Sequence, residues 1–162
     1  MKERSWGGYR TFTLIELVIV IAIIAIVAAI AIPNMMEARK HANEVCAIGA
    51  LKTLTTAQRM FRDGDKDGNG TYDYGDLTQL AEQNLVDDVL KSGTKQGFVF
   101  ETRGATTALE FLYYSIANPQ VLGSSGDRGF ATNHLGAIFY TSNTVVPNTI
   151  DASIPPGMAP IK

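Results

Sequence analysis

The sequence contains few of the residues that most often carry catalysis, metal binding or covalent cross-links. Its 162 residues include one cysteine, Cys46, and two histidines, His41 and His134. A single cysteine excludes a disulfide within the chain and a metal site built from several cysteines. Neither histidine has the neighbours that a metal site or a catalytic triad requires. We therefore expect a protein that is not an enzyme.

The chain also has no large excess of positive or negative charge. The chain has 14 Lys and Arg residues against 16 Asp and Glu residues, which gives a formal net charge of -2. Nucleic-acid-binding proteins usually carry a basic surface, so this balance predicts no nucleic-acid partner. The apolar fraction of 46% is sufficient for one folded core, although the apolar residues are concentrated near the N-terminus.

One long hydrophobic run dominates the first forty residues. Residues 17–32 include no polar side chain. When the run is extended back to Phe12, it gains only two polar residues, Thr13 and Glu16. As a helix the whole run measures roughly 30 Å, the thickness of a bilayer core. Basic residues precede it, and under the positive-inside rule they keep the N-terminus in the cytoplasm. The run therefore predicts a single-pass membrane anchor.

A cleaved secretory signal is the alternative interpretation of the same run. Ala29, Ile30 and Ala31 fit a small-x-small cleavage site behind a basic N-terminus. Two features favour a retained anchor: the run is longer than the apolar core of a usual signal, and it contains Glu16. A carboxylate inside a membrane segment costs several kcal/mol and usually has a function.

The run also carries a resemblance to a known family. Residues 12–24, followed by Pro33, resemble the N-terminal segment of type IV pilins and type II secretion pseudopilins. Glu16 is the fifth residue counted from Phe12 and Pro33 is the twenty-second, which are the spacings of that family. The resemblance covers roughly residues 7–35. It implies an α+β, pilin-like fold, in which a long N-terminal helix packs on a small antiparallel sheet.

The resemblance further implies processing of the N-terminus. Prepilin peptidase would remove residues 1–11 by cutting between Thr11 and Phe12, and the new amine of Phe12 would be N-methylated. The family's leader ends in glycine, where this chain has Thr11, and a cut after Gly8 would place Glu16 eighth. The intact block from Phe12 to Glu16 favours the cut after Thr11.

The function implied by the resemblance is structural. The chain would be a subunit of a type IV filament, either a pilus or a type II secretion pseudopilus, assembled from identical or related subunits at an inner-membrane platform. Apolar helices alone have no preferred register, whereas pairing of Glu16 with the Phe12 amine of a neighbour specifies an axial stagger. Pro33 belongs to the same assembly segment. The subunit would begin in the bacterial inner membrane, with its N-terminus cytoplasmic, and end in a periplasmic or cell-surface filament.

The rest of the chain shows the pattern of one folded domain. An apolar stripe predicts that a single helix covers residues 13–62, with a kink or melted turn at Pro33. In this helix we expect Cys46 to be buried and His41 to face solvent. We expect a second helix over residues 76–91, capped by Asp76 and Gln79. The residues of the stripe are Ala47, Ala50, Leu54, Ala57 and Phe61.

Strand-like runs and turns follow the second helix. Strands are predicted at 97–102, 110–117 and 130–141, with a tight turn at 133–136 that splits the last run into a hairpin. Four prolines after position 144 predict a flexible tail. The expected organisation is a leader (1–11), an apolar membrane or filament-core helix (12–33), a periplasmic or extracellular globular domain (34–143) and the tail (144–162).

An acidic loop at 63–76 resembles an EF-hand calcium loop. Oxygen donors at alternate positions can converge on one Ca²⁺ ion, with Gly70 at the sharp turn and Thr71 offering its carbonyl. The alternative is an exposed turn whose side chains cap their own backbone. If the loop binds structural calcium, a membrane-anchored calcium-binding domain that never polymerises is the alternative function. The candidate ligands are Asp65, Asp67, Asn69, Thr71, Asp73 and Asp76.

Overall fold

The computed structural model describes residues 12–105, 110–147 and 153–161. The expected leader, residues 1–11 with the cleavage position Thr11, lies outside the described residues. The chain divides into two compact units, Met1–Glu37 and Ala38–Lys162, and helix α1 (Leu14–Asp63) begins in the first unit and ends in the second.

The first unit consists of the apolar part of α1. Its side chains are exposed from Phe12 to Glu37, except for a half-buried Ala28. The helix continues through Pro33 without a break in its assignment. By length and composition it is able to cross a membrane, a test that N-terminal signal sequences also pass. The predicted long apolar helix is therefore confirmed, and its compartment stays a prediction.

In the second unit, α1 buries one face. The predicted stripe is confirmed, since all five of its members are buried, together with Leu51 and two polar residues, Glu44 and Gln58. The prediction for Cys46 is wrong because this residue is exposed. A helix turns about 100° per residue, so Cys46 lies just outside the buried stripe that begins at Ala47. The His41 side chain is 72% exposed, as expected.

Two short helices replace the single helix predicted over residues 76–91. Helix α2 (Leu77–Glu82) ends at a turn in which Asn84 has a φ of 55°, and helix α3 (Asp88–Lys91) follows. A left-handed residue cannot continue a right-handed helix, which is why the predicted helix is interrupted. The predicted cap is confirmed, because Asp76 and Gln79 form a reciprocal capping box at the start of α2.

Six strands form one antiparallel sheet in which the spatial order is the order along the chain. The described architecture is therefore α+β. The predicted turn at 133–136 is confirmed: Gly136 has a φ of 78°, and its N–H donates to the carbonyl of Asn133 at 2.8 Å. The strands are β1 (Thr94–Lys95), β2 (Phe98–Gly104), β3 (Tyr113–Pro119), β4 (Arg128–Asn133), β5 (Ile138–Ser142) and β6 (Ala159–Pro160).

The sheet carries apolar clusters on both faces. The inner face packs on α1 through residues that include Phe98 and Phe130. On the outer face, Ile116 and its neighbours pack with Val146 and Met158 of the C-terminal segment. This segment was expected to be a flexible tail, but its described part contributes β6 at the sheet edge. Alternation of side chains along each strand produces the two faces.

Replacement of Leu54 tests whether the stripe on α1 holds the second unit together. Leu54 is 0% exposed, so Leu54→Ala should lower the free energy of unfolding by about 2–5 kcal/mol through lost burial and a residual cavity. Denaturant unfolding of the full chain in detergent, followed by tyrosine circular dichroism, measures this change. Met60→Ala is the matched control on the exposed face, with an expected change below about 0.5 kcal/mol.

Candidate functional site

The carboxylate of Glu16 lies in the first turn of α1, where Thr13 caps the helix. The backbone N–H and the hydroxyl of Thr13 both donate to Glu16 Oε2, at 2.9 and 2.7 Å. In return, the Glu16 N–H lies 3.3 Å from Thr13 Oγ1, which accepts its hydrogen bond. This is a capping box, and it satisfies backbone donors that a helix N-terminus otherwise leaves unpaired.

The capping box holds Glu16 in place but does not neutralise its charge. Both of Thr13's bonds go to Oε2, and no lysine, arginine or histidine in the described part of the chain forms an ion pair with Glu16. Phe12, whose amine is the expected partner in a neighbouring subunit, is 82% exposed beside it. Thr13 was not predicted as a partner of Glu16, although the Thr-x-x-Glu spacing is a capping-box signature that could have revealed it.

The acidic loop connects α1 to α2, and its first half is closed by its own side chains. Asp65 has a φ of 42° and Gly70 a φ of 81°, so the chain reverses sharply between them. The Gly70 N–H donates to Asp65 Oδ2 at 3.2 Å, and the Asn69 side-chain amide donates to Asp67 Oδ2 at 2.8 Å. These bonds bring Asp65, Asp67 and Asn69 into one turn.

The second half of the candidate ligand set is engaged elsewhere. Asp76 Oδ1 accepts the Gln79 N–H at 2.9 Å as the N-cap of α2, and the Thr71 carbonyl accepts the N–H of Asp73 at 3.0 Å. Within the described ranges, no group of three or more His, Cys, Asp or Glu side chains is arranged to hold a metal. That criterion omits amide and carbonyl oxygens, which calcium also takes as ligands. One oxygen is unexplained: Asp65 Oδ1 is shielded from solvent and has no hydrogen-bond partner.

The end of the acidic loop is anchored to α1 by a buried amide. Gln58 is 0% exposed. Its Nε2 donates to the Gly75 carbonyl at 2.6 Å and to Thr102 Oγ1 at 2.8 Å, and its Oε1 accepts the Gly75 N–H at 3.1 Å. Both backbone groups of Gly75 are therefore paired with one side chain, which fixes the position at which the loop meets the domain.

A second anchor lies one turn further along α1. Arg62 donates to the Tyr74 hydroxyl at 2.8 Å and lies over the Tyr74 ring. This hydrogen bond raises the pKa of Arg62. Tyr74 in turn packs on Tyr113, with ring centroids 4.7 Å apart, and burial raises the pKa of Tyr113. Contacts within the chain thus hold the C-terminal half of the loop in place.

One charged residue with several partners was missed in the sequence. Glu44 lies outside the predicted apolar stripe, yet its side chain is 2% exposed and pairs with Arg128 of β4, with Oε2 and Nη2 2.8 Å apart. No local pattern could have shown this pair, because its members are far apart along the chain and only the fold brings them together.

No family model matches this chain, and no curated protein or solved structure was found to be significantly similar to it.

Proposed function

We propose that this protein is a structural subunit of a type IV filament, either a pilin or a type II secretion pseudopilin. The observation that carries the proposal is Glu16, a carboxylate in the first turn of an exposed apolar helix that no residue of the described chain neutralises. Before assembly the helix would lie in the bacterial inner membrane, with its N-terminus in the cytoplasm. In the filament it would pack against the helices of other copies.

The electrostatics of Glu16 explain why another subunit is needed. An unpaired carboxylate among apolar side chains is expensive, whereas a nearby cation offsets much of the cost. Cleavage after Thr11 by prepilin peptidase would create such a cation, the amine of Phe12. Because Thr13 holds Oε2, the second oxygen of Glu16 is left to accept the amine of an incoming subunit. Because Glu16 and the Phe12 amine of the neighbour would meet in only one register, their pairing would set the axial stagger between subunits.

The architecture supports the same proposal. A long helix with an apolar first part and an amphipathic second part, joined to a small antiparallel sheet, is the arrangement that the family resemblance implies. The exposed apolar surface of residues 12–36 is far larger than soluble monomers usually show, which favours burial in a membrane or a filament. Pilus and pseudopilus fit these observations equally well.

Substitution of Glu16 tests the assembly mechanism. Glu16→Ala should still be inserted and processed, but its yield of sheared or secreted filaments should fall at least tenfold, because no carboxylate is left to pair with the amine. Glu16→Gln separates the two roles of this residue. The glutamine amide oxygen still accepts the hydrogen bonds from Thr13, but it carries no charge, so filament yield should fall equally.

Membrane fractionation supplies the control, since both variants must accumulate in the membrane at the unmutated level. If filament yield is unchanged for Glu16→Gln but lost for Glu16→Ala, the role of Glu16 is limited to capping the helix. Unchanged yield for both variants would contradict the filament mechanism and favour a simple membrane tether.

Intact mass spectrometry of the membrane-extracted protein tests processing. Maturation should remove residues 1–11 and add one methyl group at Phe12. Because Trp6 is the only tryptophan, the mature protein should also lack tryptophan fluorescence. A chain that begins at Ile32 would instead identify residues 1–31 as a secretory signal, and a chain that begins at Tyr9 would place the cut after Gly8.

A second proposed property is a structural calcium ion in the acidic loop. The shielded Asp65 Oδ1 without a hydrogen-bond partner favours it, because a buried carboxylate oxygen is stabilised by a cation. Asp65, Asp67, Asn69 and Asp73 would supply ligands at the turn, whereas Asp76 would have to leave its cap on α2. If calcium binds and the Glu16 variants assemble normally, the alternative function, a membrane-anchored calcium-binding domain, is favoured.

Thermal unfolding of the full chain in detergent tests the calcium proposal. Extracellular modules of this kind bind calcium with dissociation constants on the order of 10⁻⁴ to 10⁻³ M. Calcium at ten times the dissociation constant would stabilise the fold by about 1.4 kcal/mol and raise the melting temperature above that in chelator. Asp67→Ala should abolish this difference, whereas Glu82→Ala, an exposed acid outside the loop, should preserve it. If the unmutated protein has the same melting temperature in calcium and in chelator, the loop is a solvated turn that binds no calcium.

A further inference from the structure

In the second unit, the first residues of α1 are attached to the domain by a different type of contact from the rest of the helix. From Ala47 onward α1 packs on the sheet through apolar side chains. In residues 38–46 the only buried side chain is Glu44, while Lys40 and Asn43 are half-buried and the others are exposed. This stretch is attached to the domain by polar contacts and buries no apolar side chain.

Each of these polar residues has a partner at the end of the loop between β3 and β4 or at the first residue of β4. Lys40 Nζ lies 3.0 Å from Asp127 Oδ2, and the Asn43 side-chain amide donates to the Ser125 carbonyl at 3.0 Å. We call this set of contacts the polar clamp. Its helix side is Lys40, Asn43 and Glu44, and its loop side is Ser125, Asp127 and Arg128.

Glu44 is the centre of the polar clamp because both of its oxygens are fully used. Oε1 accepts the N–H groups of Asp127 and Arg128, at 2.9 and 3.1 Å. Oε2 accepts Arg128 Nε at 2.9 Å and lies 2.8 Å from Nη2. His41 Nδ1 is 3.9 Å from the same oxygen. A buried carboxylate with four donors is stable, but removal of its charge leaves those donors without an adequate partner.

The loop side of the polar clamp also has contacts that do not involve Glu44. The Ser125 hydroxyl donates to the Val121 carbonyl at 3.1 Å and accepts the Val121 N–H at 3.0 Å. The Gly123 N–H donates to the Gly126 carbonyl at 2.9 Å. Gly126 lies against Phe98, so close that a Cβ atom would stand 2.7 Å from the ring. The loop therefore has contacts within itself and to the core in addition to its contacts with the helix.

We propose that residues 38–46 of α1 form a releasable arm, held on the domain by the polar clamp and freed when the bonds of Glu44 are broken, while the sheet and the helix from Ala47 onward stay packed. Apolar contacts end where polar ones begin, so the boundary between the two parts of the helix coincides with a change in the type of interaction. Local opening of this kind is expected where few apolar contacts oppose it. The inference is independent of filament assembly.

Distance measurements between two spin labels test the releasable arm in the full chain in detergent. One label is placed at Arg39→Cys and the other at Val89→Cys, both exposed positions, in a Cys46→Ser background that leaves no other thiol. Glu44→Gln should broaden the distance distribution at least twofold. Asp127→Asn, which removes the charge facing Lys40 but keeps the backbone donors to Glu44, should broaden it less.

Glu82→Gln is the matched control, since it makes the same chemical change at an exposed site on α2, and it should leave the distribution unchanged. Amide exchange provides the second readout: strands β2, β3 and β4 should keep their protection in Glu44→Gln, while the amides of Asp127 and Arg128 exchange at least tenfold faster. An unchanged distance distribution in Glu44→Gln would overturn the proposal. Loss of protection throughout the sheet would overturn it as well, because the clamp would then belong to the global fold.

Discussion

The burial of one stripe of α1 against the inner face of the sheet is the interaction on which the second unit depends. Leu51, Leu54 and Phe61 lie in the same cluster as Phe98 and Phe130, and all five are almost fully excluded from solvent. Each such side chain contributes about 1.5–3 kcal/mol of burial free energy. A sheet built of sequential antiparallel strands needs this cover, since otherwise its inner face would be exposed to water. The helix is thus the scaffold to which the strands and the acidic loop attach.

The same helix has no comparable partner in its first part. Leucine, isoleucine and valine side chains are exposed there on every side, and Glu16 is the one acidic residue between Phe12 and Met36. Such a surface is stable in lipid or against other helices, but not in water. The proposed function follows from this contrast within one helix: the chain's own sheet covers one part, and under the proposal a membrane or other subunits cover the other.

Three polar side chains on α1 show how differently a polar group in apolar surroundings can be accommodated. Gln58 is fully paired with Gly75 and Thr102, and it fixes the end of the acidic loop. Glu44 is paired with Asp127 and Arg128, and it holds a stretch of helix that buries no apolar side chain. Glu16 has hydrogen bonds from Thr13 but no counter-charge. The first two have their partners within the domain, and the third is the residue on which the proposed assembly mechanism depends.

Local patterns in the sequence determined several elements of this structure. The long helix, its buried stripe, the Asp76 cap and the turn at 133–136 could be predicted because each depends on residues within a few positions of one another. The resemblance at residues 12–33 supplied both the expectation of an α+β fold and the functional expectation. For the acidic loop, composition indicated which oxygens are available, but the fold decides where each one is used, as the capping role of Asp76 shows.

Tertiary structure decided the features that depend on contacts across the chain. Cys46 is exposed because the sheet covers the helix face one position further on, and Val146 and Met158 in the described part of the C-terminal segment pack on the apolar outer face of the sheet. Burial of Glu44 depends on Arg128, which lies on another element of the fold. Periodicity records which residues share a face of a helix or strand. Which face meets which partner is settled only when the elements pack, because burial and pairing energies belong to the contacts between them.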